Sequence, residues 1–143
     1  MIISSKGRYA LRVMVDLAEH MTGEYIPLKE IAERQEISKE YLNSILKVLV
    51  QNQMLSSLRG KGGGYKLTHA PKNYTVGMIL RLVEGSLAPV PCVLDSAPCP
   101  RSSRCPSLNM WKKLDIIIND FFDSITLEDL VEKDQKAVSI LIE

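Results

Sequence analysis

Apolar residues recur every three or four positions over the first fifty residues, which is the spacing of one face of an α-helix. The first series predicts a helix from about Ser5 to Met21, ended by Gly23. Its apolar face consists of Tyr9, Val13, Leu17 and Met21. A short second helix should begin near Pro27, because proline is tolerated in the first turn of a helix.

A third helix is predicted after a turn at residues 35–37. Ser38 suits its N-cap, since a serine hydroxyl can accept an unpaired backbone N–H. The apolar stripe of this helix consists of Leu42, Ile45, Leu46 and Leu49. The N-terminal half of its other face is polar. Two short helices with this arrangement are typical of a DNA-reading helix-turn-helix, although an ordinary helical hairpin with a solvated face would show the same pattern.

The pattern then changes to two short strands around a glycine-rich turn. Residues 55–58 and 65–68 are expected to pair as a hairpin, with the sequence RGKGGG at residues 59–64 between them. Glycine permits close approach to a phosphate backbone, and Arg59 and Lys61 supply cations, so the hairpin suits a DNA-binding wing. A nucleotide phosphate loop is excluded, because it requires Gly-Lys-Ser/Thr opening a helix.

The second half of the chain predicts a helix over residues 75–84 and a long helix from Pro106 to about Asp123. The apolar positions assigned to the long helix are Leu108, Met110, Trp111, Leu114, Ile116, Ile117, Ile118, Phe121, Phe122 and Ile125. A helix this apolar must be covered on more than one side, so we expect it to pack against its twin in a homodimer; a monomer with a central helix is the alternative. A capping box at residues 126–129 predicts a last helix reaching about Lys133.

Length favours one domain, or a small domain with an accessory element. The predicted elements make the fold mainly α with a small β-hairpin, a winged helix-turn-helix domain plus a long dimerisation helix. The chain has 143 residues, of which 45% are hydrophobic. We expect a DNA-binding domain at residues 1–85, a cysteine-containing loop at 86–105 and a dimerisation helix with a C-terminal segment at 106–143. No apolar run approaches the roughly 18 residues of a membrane span, and no signal region opens the chain, so we expect a cytoplasmic protein with no membrane partner.

Charge is distributed unevenly, although the net charge is only +1. Residues 1–69 carry ten Lys or Arg against seven Asp or Glu, a net of +3. Residues 70–143 carry eight against ten, a net of −2. This asymmetry permits nucleic-acid binding by the first half of the chain without proving it.

All three cysteines, Cys92, Cys99 and Cys105, lie in one proline-rich stretch. Proline removes backbone donors, so the stretch should be an irregular loop, and such a loop can turn three thiolates toward one point. The thiols of a cytoplasmic protein are expected to be reduced, which makes a disulfide framework unfavourable. We expect this loop to bind a metal centre whose state the rest of the chain reads out on DNA.

With these features the chain resembles the IscR/NsrR-type winged-helix regulators of bacteria over nearly its whole length. The resemblance lies in SKGRYA at residues 5–10, ISKEYL at 37–42, RGKGGGY at 59–65 and ITLEDL at 125–130. It implies a homodimeric transcription factor on a palindromic double-stranded DNA operator, with the recognition helix in the major groove and the wing arginine in the minor groove. The implied DNA-binding residues are Ser38, Lys39, Tyr41, Asn43, Ser44, Arg59, Lys61 and Gly62. The iron–sulfur biogenesis regulator has an acidic residue at the position of Asn43, so the target sequence should differ.

The cluster-binding branch of this family holds an iron–sulfur cluster through three cysteines and a non-cysteine fourth ligand. The resemblance therefore implies Cys92, Cys99 and Cys105 as cluster ligands, with a 2Fe–2S cluster favoured over 4Fe–4S. Thiolates suit this chemistry because they are soft, anionic ligands. Leu108 stands where the biogenesis regulator has its His ligand, and Arg8 stands where the nitric-oxide-sensing branch has an acid. The fourth ligand stays open among Ser107, Asn109, Asp95, the partner subunit's Asp16 and a small exogenous ligand.

On this hypothesis iron supply, redox state or nitric oxide changes the cluster, reorders the loop and alters DNA binding. A second hypothesis keeps the DNA-binding dimer without a cluster, as in a regulator of cysteine metabolism, with the cysteines holding zinc or acting as redox thiols. Structural zinc normally takes four protein ligands, and three are in view. A thiol enzyme would need a cysteine beside a base, but the chain has no Cys-x-x-Cys, and His20 and His69 lie far from the loop in sequence.

Overall fold

The computed structural model describes residues 3–96 and 99–131, which are mainly helical with one small β-hairpin. The elements in chain order are α1 (Ser5–Glu19), α2 (Leu28–Gln35), α3 (Lys39–Gln51), β1 (Leu55–Leu58), β2 (Gly64–Leu67), α4 (Val76–Glu84), α5 (Leu108–Asp123) and α6 (Leu127–Val131). Two short 3₁₀ turns, Pro71–Asn73 and Pro91–Val93, lie before α4 and in the loop between α4 and α5. The predicted fold class is confirmed. The expected extension of the last helix to Lys133 lies outside the described residues.

Side-chain caps begin two helices at the places that the sequence predicts. The Ser38 hydroxyl accepts a hydrogen bond from the Tyr41 N–H at 3.2 Å, which confirms the N-cap of α3. The Thr126 hydroxyl accepts from the Asp129 N–H at 3.2 Å, and the Asp129 carboxylate accepts from the Thr126 N–H at 2.9 Å. This reciprocal pair confirms the capping box that starts α6.

Helix α1 ends two residues earlier than predicted, and this changes the position of Met21. The helix ends at Glu19, and the His20 N–H donates to the Asp16 carbonyl at 3.1 Å. Met21 lies beyond the helix and is 50% exposed. Its assignment to the buried stripe is wrong, because regular spacing of apolar residues does not mark where a helix stops.

The main core lies where α1 meets α2, α3, α4, α6 and the hairpin. All four predicted apolar positions of α3 are fully buried in it: Leu42, Ile45, Leu46 and Leu49. Helix α1 contributes Ala10, Val13, Met14 and Leu17. Leu127 of α6 is also fully buried in this cluster. The start of α6 therefore packs on the same core as α1, while the three-part division of the chain stays a prediction.

A second, smaller cluster joins α4 to the end of α5. Its buried residues are Val76, Leu80, Leu87 and Ile125. Phe121 and Phe122 of α5 pack against them. Beside this cluster the Arg81 guanidinium of α4 pairs with the Asp123 carboxylate of α5. Gly77 leaves no room for a β-carbon below this ion pair, so α4 and α5 approach closely there.

A buried carboxylate joins α1 to α2. Asp16 is 1% exposed, and its two oxygens accept hydrogen bonds from the Arg34 guanidinium at 2.9 and 2.7 Å. The Gln35 side-chain amide donates to it at 2.8 Å. Burial alone raises the pKa of Asp16, but the hydrogen bonds from Arg34 and Gln35 and the Arg34 charge outweigh it, so the pKa lies below its ordinary value. The charged carboxylate therefore holds the end of α2 against α1.

Replacing Asp16 with Asn should lower the free energy of unfolding by about 3 kcal/mol at neutral pH, because a buried ion pair loses one partner. The depressed pKa of Asp16 contributes stability that is present above the unfolded-state pKa and lost as the pH falls through the folded-state pKa. The difference between wild type and D16N should therefore shrink in acid. Urea unfolding followed by circular dichroism across pH measures both effects. Glu19→Gln, an exposed change on the same helix, is the control, and equal losses in both variants would contradict the assignment.

Candidate functional site

Helix α3 exposes four of its predicted DNA-reading residues on the side away from the core. These residues are Ser38, Lys39, Asn43 and Ser44. The Ser38 hydroxyl accepts the Tyr41 N–H, so its own proton stays available for donation. The Ser44 hydroxyl donates to the Tyr41 carbonyl at 2.6 Å and keeps its lone pairs for accepting. Together with a lysine and an amide, this face can donate to and accept from base edges.

Tyr41 differs from these residues because it is only partly exposed. Its ring packs edge-on against Tyr9 of α1, with the ring centroids 5.7 Å apart. The Arg12 guanidinium lies over the Tyr9 ring, 5.1 Å from its centroid. Tyr41 therefore helps to hold α3 against α1. The sequence does not reveal this contact, because it joins residues on separate helices.

The hairpin, called the wing below (residues 55–67), carries the other three predicted residues at its tip. Strands β1 and β2 pair in antiparallel register along their whole length. Arg59, Lys61 and Gly62 are exposed in the turn between them. Gly62 has φ +76°, a conformation that glycine adopts at little cost. The tip therefore offers two cations on a backbone that can approach a nucleic acid closely.

An isolated β-bridge joins the wing to the segment that precedes α2. Ile26 and Tyr65 exchange two backbone hydrogen bonds of 2.9 Å. The Ile26 carbonyl lies where a side chain at Gly64 would be, and Gly64 also has φ +151°, so glycine is required there. Sequence reasoning missed this bridge because one residue shows no periodicity. The wing is therefore attached to the helix-turn-helix at its side as well as through the chain.

A groove with a cavity volume of about 560 Å³ separates α3 from the wing. Asn43, Lys47 and Gln51 line it from α3, and Ser57 and Arg59 line it from the wing. No acidic residue is found among the described residues of its lining. Its charge is therefore positive on both sides, which suits a phosphate backbone. Lys47 and Gln51 were not among the predicted site residues, although their four-residue spacing with Asn43 marks the same helix face.

The three cysteines lie between α4 and α5 as free thiols. Cys92 is exposed in the 3₁₀ turn, and Cys99 and Cys105 are partly exposed. The Cys105 sulfur lies 3.3 Å from the Ser107 hydroxyl. Hydrogen bonds from the Ser107 side chain and backbone, aided by the nearby Arg101 charge, lower the pKa of the Cys105 thiol. A lowered pKa favours the thiolate, which is the form that binds metals.

The chemistry of these donors fits an iron–sulfur cluster, although their arrangement is not a closed site. Within residues 3–96 and 99–131, no three side chains of His, Cys, Asp or Glu lie close enough together to hold a metal ion. Of the open candidates for a fourth ligand, Asp16 is excluded, because Arg34 and Gln35 occupy its buried carboxylate. Asp95 and Asn109 are exposed near the cysteines in sequence, and Ser107 contacts Cys105.

One face of α5 is apolar and exposed, as the sequence predicts. On this face Met110 is 53%, Leu114 36% and Ile117 63% exposed. An open groove with a cavity volume of about 690 Å³ runs along these three side chains. Ile116, 58% exposed, lies on a different side of the helix. Three large apolar side chains exposed side by side are typical of a protein–protein interface. Among the helices of the described residues, none is long and apolar enough to cross a membrane.

Comparison with known proteins finds a family model that matches most of this chain. Residues 3–133 match the Rrf2 family model, described as an iron-dependent transcriptional regulator. The HTH-type transcriptional regulator IscR of Pectobacterium carotovorum subsp. carotovorum is 38% identical over 131 residues, which cover 92% of this chain and 79% of that protein.

Two solved structures share the fold and differ in what they are named for. T. potens IscR is 32% identical with a TM-score of 0.75, over 96% of this chain and 90% of its own. CymR, the global cysteine regulator of B. subtilis, is 34% identical with a TM-score of 0.76, over 92% of this chain and 97% of its own. The chain is therefore nearly as similar in structure to one as to the other.

Proposed function

Because the chain belongs to the Rrf2 family of transcriptional regulators, we propose that it is a homodimer that reads a palindromic DNA operator with α3 and the wing, under the control of an iron–sulfur cluster. The resemblance to IscR-type regulators is confirmed at the level of the family. The observation that carries the proposal is the positive groove between α3 and the wing. Sequence-specific binding to duplex DNA is its test.

The exposed residues of α3 and the wing have three kinds of role in the proposal. Asn43 and Ser44 face base edges in the major groove, where the Asn43 amide can donate and accept and the Ser44 hydroxyl accepts. Lys39 and Lys47 neutralise phosphates, which fixes register without reading sequence. Arg59 enters the minor groove beside the wing, where a guanidinium suits a narrow, strongly negative groove.

The dimer in this proposal forms through the exposed apolar face of α5. Burying Met110, Leu114 and Ile117 against their symmetry mates removes apolar area from water, which drives association. A two-fold axis through α5 presents two copies of α3 and the wing to successive half-sites of one duplex.

In the proposal Cys92, Cys99 and Cys105 hold the cluster, and Ser107, Asn109, Asp95 or a small exogenous molecule completes its ligand set. A bound iron–sulfur cluster supplies one-electron chemistry and sensitivity to oxidants. These residues lie just before α5, so a change in how the loop is ordered acts at the beginning of the dimerisation helix. Control of DNA binding by an order–disorder transition is a known type of switch.

A cluster-free regulator is the second candidate, favoured by the nearly equal likeness to CymR, which is named for cysteine regulation. On this alternative the DNA-reading surface and the dimer are unchanged, and the thiols bind zinc or respond directly to redox state. Metal content separates the two candidates.

Arg59→Ala should weaken binding to duplexes that the wild-type protein selects from a random-sequence pool by about 1–3 kcal/mol, because the minor-groove contact is lost. Arg59→Lys is the matched control. If the planar guanidinium reads the groove, R59K should resemble R59A; if only charge matters, R59K should bind like wild type. Fluorescence anisotropy at fixed salt measures both affinities. Wild-type affinity in R59A would remove the wing from the reading surface.

Ile117→Lys should convert the dimer into a monomer at micromolar concentration, because it adds a charge to the most exposed residue of the apolar face. Light scattering coupled to size-exclusion chromatography measures the mass. Lys112→Glu, an exposed change on the same helix outside the apolar groove, should leave the dimer intact. A dimeric I117K variant would place the interface elsewhere.

Anaerobically prepared protein should contain iron and acid-labile sulfide in equal amounts and absorb visible light. Cys92→Ala, Cys99→Ala and Cys105→Ala should each lose most of this iron and absorption, because each removes one of three thiolate ligands. Ser103→Ala, an exposed change in the same loop, is the control. Elemental analysis decides the outcome: zinc without iron or sulfide would favour the cluster-free regulator.

A further inference from the structure

One buried hydroxyl closes the base of the wing, at the end opposite its tip. Tyr74 is 1% exposed, and its hydroxyl donates to the Met54 carbonyl at 2.9 Å. The same oxygen accepts from the N–H groups of Thr68 and His69, each at 2.9 Å. Met54 directly precedes β1, and Thr68 directly follows β2. Tyr74 therefore holds the two ends of the wing together from inside the core.

The backbone of Tyr74 is bonded to the junction between α5 and α6. The Leu127 N–H donates to the Tyr74 carbonyl at 3.0 Å, and the Val76 N–H donates to the Ile125 carbonyl at 2.8 Å. The capping box of Thr126 with Asp129 makes this junction rigid. Tyr74 thus contacts the wing through its side chain and the first residue of α6 through its main chain, and Val76 adds a second bond to the segment between α5 and α6.

A small rotation at the base of the wing produces a large displacement at its tip. A four-residue strand extends roughly 13 Å, so a tilt of about 10° at the base moves the tip by about 2 Å. Hydrogen bonds to a base edge tolerate only a few tenths of an ångström. The angle at which the wing leaves the core therefore decides whether Arg59 can reach its groove.

We infer that Tyr74 is a positioning residue for DNA reading, which sets the wing at a fixed angle to the junction between α5 and α6 and couples the two. The inference rests on the proposed function, because it requires that the wing contact DNA. It assigns no DNA contact to Tyr74, which is buried. Tyr74 acts on DNA binding by positioning Arg59. The effect of a Tyr74 substitution on DNA affinity should therefore depend on whether Arg59 is present, which a general loss of stability would not produce.

Tyr74→Phe removes the hydroxyl and keeps the ring, so it tests this dependence directly. On duplexes selected by the wild-type protein, Y74F should weaken binding about 5-fold. The double variant Y74F/R59A should bind within twofold of R59A alone, because a wing that no longer contacts DNA gains nothing from correct positioning. Hydrogen exchange at the Thr68 and His69 amides should be faster in Y74F, since both lose their acceptor.

Tyr25→Phe is the matched control. The Tyr25 hydroxyl lies 3.0 Å from the Ser56 hydroxyl of β1, so the same chemical change is made beside the wing without touching its link to the junction between α5 and α6. Y25F should bind DNA within twofold of wild type. Thr126→Ala loosens the junction from the other side and should give a smaller loss, about 3-fold, that also disappears in the R59A background.

Three results would overturn the inference. Y74F could bind as tightly as wild type, its loss could add fully to that of R59A, or Y25F could lose as much as Y74F. A poorly folded Y74F would leave the decision to T126A, whose loss must depend on Arg59. If the wild-type protein selects no duplex, the proposed function is wrong, and the inference about Tyr74 loses its premise.

Discussion

The buried pairing of Asp16 with Arg34 and Gln35 is the interaction on which the DNA-reading geometry depends. It joins the middle of α1 to the last residues of α2, immediately before the turn into α3. Gln35 also accepts a hydrogen bond from Arg12, so the last two residues of α2 are both bonded to α1. A charge in the core is costly unless it is fully paired, and this requirement holds the end of α2 against α1. On the other side of the turn, the edge-on packing of Tyr41 against Tyr9 holds α3 against the same helix.

Helix and strand positions were largely predictable because local rules set them. The Ser38 cap, the buried stripe of α3 and the capping box at Thr126 depend on residues within one or two turns of each other, and all are present. The contacts that join elements were not predictable in this way. The Ile26–Tyr65 bridge and the hydroxyl of Tyr74 depend on residues brought together only by folding, and no spacing in the sequence reports them.

The same division applies to the candidate site. Exposure of Lys39, Asn43, Arg59 and Lys61 follows from polar positions opposite a buried stripe and from a glycine-rich turn. Residue type and spacing also drew attention to the cysteines, yet they leave the fourth ligand open. The structure removes Asp16 from the candidate fourth ligands, because its carboxylate is paired with Arg34. The sequence shows which side chains could be metal ligands, whereas only the structure shows which of them are buried in other ion pairs or hydrogen bonds.

Helix α5 has a cysteine loop before its first turn and the wing junction after its last. Its 16 residues span about 24 Å. In the proposed regulator, a change in the loop must therefore act over the length of this helix, past the packing of Phe121 and Phe122 on the α4 cluster. Such a layout keeps detection and response in separate parts of the chain, so the chemistry of the loop can change from a cluster to zinc or a redox thiol while the surface that contacts DNA stays the same.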